Sequence, residues 1–441
     1  MKKSIMFLTS MLLSLPLCTA SGQTAEKVIR TVHVDEGSSL ESLVGDDETP
    51  IDSLIVTGFL HHSDFPVLNW MCHAHGISGI NMSDCKVEND SIPNNAFYDL
   101  RVGITESLEY FTFPRDLRSI GMGAFSYTNL RTIDFPPTLR SLGPDCFRHM
   151  KNLKGTLRFP DGIRELPSYC FTGAVGIEAV VLPSTLERLD DCCLFEFPNL
   201  REIELPEGLK SIGTQVFSNM GITQLRIPES VVEIDHAAFS RCFSLEEVWL
   251  PSSMKEIPSE MFQSCHSLKT VHMPDGLESI SDRAFLEAGF PGLLFLSDNI
   301  RHIGSSAFEY TEMSGVVLPA TLEEISPGAF CRHSHLHEVY SKSMTPARVV
   351  GEGDKPIFSS LQPMTLYVPR GAKPAYESDP NWQMFSEIVE VDEFPTAIGS
   401  VRVDTAASAW YGCDGKQLSA PAKGLNIVKM ADGTVKKVIV R

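Results

Sequence analysis

Basic residues are scarce in this chain: 37 Lys and Arg stand against 56 Asp and Glu among 441 residues, a net charge of −19. That balance makes the chain a poor candidate for nucleic acid, because phosphate contacts need basic surface. It equally disfavours docking on an anionic membrane. Long apolar runs are missing after residue 17, so no stretch reaches the ~20 residues of a spanning helix. The chain has no Gly-x-Ser-x-Gly elbow, no His-Glu-x-x-His and no Walker loop, the short motifs that announce common enzymes. Only 31 residues are Gly, which excludes collagen. Hydrophobic residues make up 43%, too many for a disordered chain.

The N-terminus reads as an address. Lys2 and Lys3 precede an apolar run from Ile5 to Leu17, followed by Cys18, Thr19, Ala20, Ser21 and Gly22. Charge, short apolar core and small residues are the order of a secretory leader, here residues 1–20. Cleavage after Ala20 removes two lysines and takes the charge from −19 to −21. Lipidation at Cys18 is the lesser alternative, since bulky Leu17 stands where a lipobox has a small residue.

A repeat of about 23 residues fills most of the remaining chain. One marker is Phe after a small residue: Phe97, Phe125, Phe239, Phe285, Phe308 and Phe330, with Phe147, Phe171, Phe195, Phe217, Phe262 and Phe358 as looser members. A second is a short β-like run ending in Pro, such as Ile203-Glu204-Leu205-Pro206 or Val271-His272-Met273-Pro274. A turn and a further apolar pair come next, as in Leu277 and Ile280. In Ile-x-Leu the outer residues share one face and the middle one takes the other. A single repeat cannot bury that face, but stacked repeats can, so the period predicts a solenoid of short strands and loops.

The pattern Leu-x-x-Ile-x-Leu-Pro-x-x-Leu-x-x-Ile-x-x-x-Ala-Phe resembles the BspA-like leucine-rich repeats of bacterial surface proteins, over residues 95–395 including a closing segment. It lacks the Asn ladder of better-known leucine-rich repeats. Residues 21–94 show no repeat phase and are expected to cap the first layer. The closing segment carries Thr365-Leu366-Tyr367-Val368-Pro369, Tyr376, Trp382, Phe385 and Ile388. Residues 396–441 alternate like a small all-β unit and resemble the C-terminal tails of exported Bacteroidota proteins, some of which are sorting signals. The resemblance implies an exported, non-enzymatic adhesin-like protein, secreted or at the cell surface, that binds extracellular protein partners.

Ten cysteines outlast the leader, and several keep the repeat phase: Cys146 and Cys170 just before the layer Phe, Cys242 and Cys265 three residues after it. Phase-locking favours buried structural thiols. Stacked layers would place Cys242 and Cys265 within Cα range of a disulfide, although parallel side chains rarely have the needed dihedral. His61, His62, Asp64, Cys72, His73, His75 and Cys85 cluster near the N-terminus without the spacing of a zinc module. His333, His335 and His337 are expected to face solvent. Neither a metal nor any other cofactor is implied.

The residue at the middle of each strand motif should point outward. In order these are Asp134, Arg158, Val181, Glu204, Arg226, Trp249, His272, Phe295, Val317 and Tyr340. The second half of the series is aromatic or apolar, and layers ~4.8 Å apart would make Trp249, His272, Phe295, Val317 and Tyr340 one strip about 20 Å long. Exposed apolar strips mark contact sites. This one would suit a protein partner or, alternatively, a glycan platform. Arg118, Arg140, Arg164, Lys210, Lys255 and Arg301 form a second stripe, interrupted by Glu187, Glu278 and Glu323, that reads as a solvated face. Glu202, Glu204, Glu246 and Glu247 read the same way rather than as a hydrolase's acids.

Overall fold

A computed structural model describes residues 16–17, 25–44, 50–99 and 103–396, and the backbone of strands within 407–440. The expected leader therefore lies almost wholly outside the described residues. The chain divides into a large unit ending at Val389 and a small one from Glu390.

The large unit is a stack of parallel coils. Its first ladder holds the strands that end in Pro, such as Gln224–Arg226, Glu247–Trp249 and Thr270–His272, paired in parallel. The second ladder holds two-residue strands such as Glu256–Ile257, Ser279–Ile280 and His302–Ile303. Parallel pairing also extends into the stretch that shows no repeat phase. Ile29–Val34, Ser53–Leu60, Gly79–Asn81 and Tyr110–Thr112 lie side by side in parallel. Helix Phe65–His75 makes one of those crossings. It begins with Pro near its N-terminus and ends at Gly76 in the left-handed region, φ 69°.

The third side of each coil is the turn that carries the layer Phe. Phe239 shows its logic. Ala237, Phe239 and Arg241 donate their N–H groups to Ser259, Met261 and Gln263 of the next layer, at 2.9, 3.0 and 2.7 Å. The residues two before and two after the Phe adopt the left-handed conformation, Ala237 at φ 55° and Arg241 at φ 57°. That conformation costs a residue with a Cβ about 1–2 kcal/mol. It turns alternate N–H groups along the stacking axis, and each bond made there returns about 1 kcal/mol. Between them the Phe ring points inward and stacks on its neighbours: Phe239 lies 5.2 Å from Phe217 at 11° and 5.7 Å from Phe262 at 14°.

The same phase corrects one assignment. Left-handed Cys192 and Glu196 frame Leu194, not Phe195. Leu194 is buried and Phe195 is partly exposed, so the Phe column breaks at this layer. Phe197, three residues on, is buried in the same coil. A spacing argument built on Phe alone selects the wrong residue of the Leu-Phe pair.

Aromatic groups close both ends of the column. Phe65 of the helix meets Phe97 edge-on at 6.2 Å. At the far end Phe358 meets Trp382 at 5.7 Å and Phe385 at 5.4 Å. Trp382 is buried and donates its ring N–H to the Ala347 carbonyl at 3.2 Å. The Tyr376 hydroxyl lies 2.7 Å from Ser341 Oγ and donates to the carbonyls of Ser343 and Thr345.

A hydroxyl two residues past the strand Pro ties each such layer to the one before it. Thr138 donates to the Arg115 and Leu117 carbonyls, each at 2.8 Å, and Thr321 to those of Asp298 and Ile300 at 2.7 and 2.8 Å. Thr185 and Ser230 repeat the contact. Its sequence signal is a Ser or Thr recurring at one phase.

The small unit is an antiparallel sheet with strand order Gln417–Leu418, Ala407–Gly412, Gly424–Met430, Val435–Val440. It agrees with the expected all-β unit.

Two stability measurements check this account. Phe239→Ala should cost about 3–5 kcal/mol, the usual loss for a buried Phe, read as a lowered urea midpoint. At exposed Arg241, Gly should outperform Val by about 1–2 kcal/mol, since a β-branched residue is poorly tolerated at positive φ. Equal midpoints for the two Arg241 variants would contradict the left-handed assignment.

Candidate functional site

The first ladder positions the outward residues by register. Arg226 pairs with Trp249, and Trp249 with His272. The Arg226 guanidinium carbon sits 4.8 Å from the centre of the Trp249 ring, and His272 stacks on the other side at 4.8 Å and 7°. His272 Nε2 lies 2.7 Å from Glu247 Oε1, which holds the imidazole flat on the indole. Both faces of Trp249 are thus covered, and its edge is what remains half-exposed.

Phe295 pairs with Val317, Val317 with Tyr340, and Tyr340 with Tyr367. Tyr340 and Tyr367 stack at 4.5 Å and 13°. Burial, then Glu338 and Tyr367, push the Tyr340 phenol up to about 12, so it stays protonated. Tyr367 was not among the expected strip residues, although its Leu-Tyr-Val-Pro setting carries the strand signal.

The structure corrects two expectations. Val317 is 2% exposed, because a β-branched side chain between two larger rings lies below their surface; it offers no contact area. The strip is also not continuous. Strand Thr270–His272 and strand Gly292–Phe295 belong to different sheets, and the Met273 N–H bonds back to the Val271 carbonyl at 3.0 Å instead of continuing the ladder. The result is two clusters: Arg226, Trp249 and His272, and beyond the step Phe295, Tyr340 and Tyr367.

The earlier outward residues Asp134, Arg158, Val181 and Glu204 are exposed. A depression of about 410 Å³ beside Asp134 is lined by Thr112, Phe113, Arg115 and Pro136. The Arg115 guanidinium is tied to Asp84 at 3.2 Å. The second stripe forms an ion-pair ladder, with Glu187 between Arg164 and Lys210, Lys255 on Glu278 at 3.3 Å and Arg301 on Glu323. Such exposed pairs contribute little each. Glu246 pairs with Lys269 at 2.7 Å, while Glu202 is exposed.

Part of the N-terminal His and Cys cluster is spent on structure, while both ring nitrogens of His75 are buried without a partner. Buried Asp64 accepts from the Leu40 and His61 N–H groups, each at 2.9 Å. His62 Nε2 lies 3.0 Å from the Glu88 carbonyl. Burial pushes the Cys72 thiol up to about 12. Among the described residues no three His, Cys, Asp or Glu converge as a metal site. Cys242 and Cys265 are free and buried, donating to the Phe217 and Phe239 carbonyls at 3.1 and 3.2 Å. Each therefore bonds two layers' backbones together without a covalent link.

His333 overturns one expectation. His335 and His337 are exposed, but His333 is 1% exposed. It lies three residues after its layer Phe, the phase of Cys242 and Cys265, which faces the core. Its Nδ1 donates to the Thr311 carbonyl at 2.9 Å, and its buried Nε2 has no partner. Burial lowers its pKa below the ordinary 6.5. A depressed pKa means the unfolded chain binds the proton more readily. Stability should therefore fall as pH drops from about 6.5 towards the lower folded value, then level off. His333→Gln should lose less stability than wild type between neutral and acid pH in urea titrations. Identical losses would show that another group carries the effect.

Comparison with known proteins bears on the family and the fold. The family described as BspA type leucine rich repeat region matches residues 90–220, 164–290 and 293–346. Solved structures are similar to this chain to differing degrees. A leucine-rich repeat protein from Bacteroides ovatus is 18% identical, with 76% of this chain and 91% of that chain covered and a TM-score of 0.50. A leucine rich cell surface protein from Faecalibacterium prausnitzii is 15% identical, covering 86% and 93%, with a TM-score of 0.38. The pneumococcal vaccine antigen PcpA is 14% identical, covering 83% and 90%, with a TM-score of 0.39. At such identities only the first likeness bears on the fold, and on nothing else. No curated protein matches the chain. No helix among the described residues is long and apolar enough to cross a membrane.

Proposed function

This chain belongs to the BspA-type leucine-rich repeat proteins, and from that premise we propose an exported, non-enzymatic, adhesin-like protein that binds a protein partner through its first ladder. The repeats build an interaction scaffold, whose function lies on its surface. Residues 1–20 are read as the leader that exports it, with lipid anchoring at Cys18 as the lesser route, and residues 396–441 as a small C-terminal β-unit.

The observation that carries the reading is the pair of aromatic clusters on the ladder. Trp249, His272, Phe295, Tyr340 and Tyr367 are each half-buried. They sit outside a core already filled by Val248, Val316, Val339 and Leu366. Packing the solenoid does not require large rings there. Trp, Tyr and Arg are the side chains that anchor protein interfaces. A glycan platform fits less well. A sugar stacks on a free ring face, and Arg226 and His272 occupy both faces of Trp249.

The test is capture from mucus and extracellular-matrix extracts by immobilised protein, beside a variant carrying Trp249→Ser, Tyr340→Ser and Tyr367→Ser. The variant should keep its thermal transition and lose at least about tenfold in captured protein, as expected when interface anchors are removed. Equal capture by a folded variant moves the binding site off this ladder. Capture of glycan in place of protein reverses the choice between the two ligand classes.

A further inference from the structure

Beside the aromatic clusters stand charges that bear on the kind of partner they suit. Resting on the reading above, we propose that the partner presents lysine and arginine side chains to the Tyr340–Tyr367 cluster, so that the ligand is a basic protein segment. The argument starts from the column next to the rings. Along strand Glu338–Ser341, Glu338 lies two residues before Tyr340 and so shares its outward face. The next strand, Thr365–Pro369, repeats the arrangement with Thr365 and Tyr367, and Thr365 is in register with Glu338. The strand after that, Glu387–Val391, pairs with Thr365–Pro369 in the same sheet and opens with exposed Glu387. Carboxylates thus stand on either side of the Thr365 position, beside two stacked phenol rings.

The cations of this half of the ladder are already engaged. Lys269 is on Glu246 at 2.7 Å, His272 on Glu247 at 2.7 Å and Lys342 on Asp298 at 2.7 Å. Among the described residues, Glu338 and Glu387 have no Lys or Arg within ion-pair distance. A lysine or arginine arriving from outside finds a ring for its alkyl stem or charge and a carboxylate for its head. Ring faces attract cations at about 0.5–1 kcal/mol when exposed and more when desolvated. The net charge of −19 acts in the same direction at longer range, speeding the approach of a basic partner. Acidic, phosphorylated or sulfated partners meet repulsion at the same place.

The probes are a short oligolysine peptide and an oligoglutamate peptide of equal length, titrated against the full chain at low and physiological salt. Oligolysine should bind, more weakly as salt rises, and oligoglutamate should not. Net charge alone would also attract oligolysine, so position is tested at constant charge. Glu338→Gln with Glu387→Gln should weaken binding about tenfold. Glu202→Gln with Glu204→Gln, the same charge change on the other half of the ladder, should change it less than about twofold. Equal losses in the two pairs, or no binding by wild type, overturn the proposal. The ring variants keep the two readings apart. If a captured protein needs Tyr340 but oligolysine does not bind, the basic partner fails and the aromatic site stands. If the Glu pair matters and the rings do not, the aromatic site is the one that fails.

Discussion

Everything in the large unit depends on the turn around the layer Phe. Strand pairing alone would not hold these coils, because the second ladder has only two residues per strand. The turn supplies three further N–H bonds to the next layer and one buried ring, as at Ala237, Phe239 and Arg241. Its conformation is unfavourable by itself. In most such turns two residues with side chains sit at positive φ, with Gly123, Gly173 and Gly328 taking one of the two positions elsewhere, and the bonds and ring burial offset that cost. Because the donors lie in one layer and the acceptors in the next, no coil is satisfied alone. The end rings of the core column would likewise face solvent, and aromatic groups cover them, Phe65 at one end and Trp382 and Phe385 at the other.

A scaffold stabilised from its turns and core leaves its strand faces free to vary. The first ladder needs only alternate apolar residues, such as Val248 and Val339, to face inward. The outward positions can then carry charge at one end and rings at the other without loss of packing. The ion-paired second stripe and the aromatic clusters are two uses of that freedom. Arg226 stacked on Trp249 shows how neighbouring layers act together: residues about 23 apart in sequence become adjacent. The same adjacency places buried thiols against carbonyls, so cysteines in phase serve as small core residues. Their burial keeps them protonated, with Cys242 pushed up to about 12.

Several features of the site were legible only in part. That Trp249, Phe295 and Tyr340 point outward follows from alternation along a strand, and the ladder places them so. That Val317 sinks between larger neighbours, and that the ladder breaks after His272, does not follow, because both depend on side-chain size and local backbone turns across layers. His333 was misplaced for the same kind of reason. Its alternation with His335 and His337 suggested solvent, whereas its phase relative to Phe330 assigned it to the core.

By itself the sequence determined the solenoid, its period, its inward and outward faces and its closing aromatics, since a repeated apolar pattern has one efficient way to be buried. Tertiary structure alone decided which of Leu194 and Phe195 fills its layer, which residues take positive φ, and how Arg226, Trp249 and His272 stack. The physical reason is common to all three. Residues such as Gln215, Ala237, Glu260 and Arg283 have no intrinsic preference for the left-handed region. They adopt it because a carbonyl in the next layer and a ring in the core are waiting, and those partners exist only once the layers are stacked.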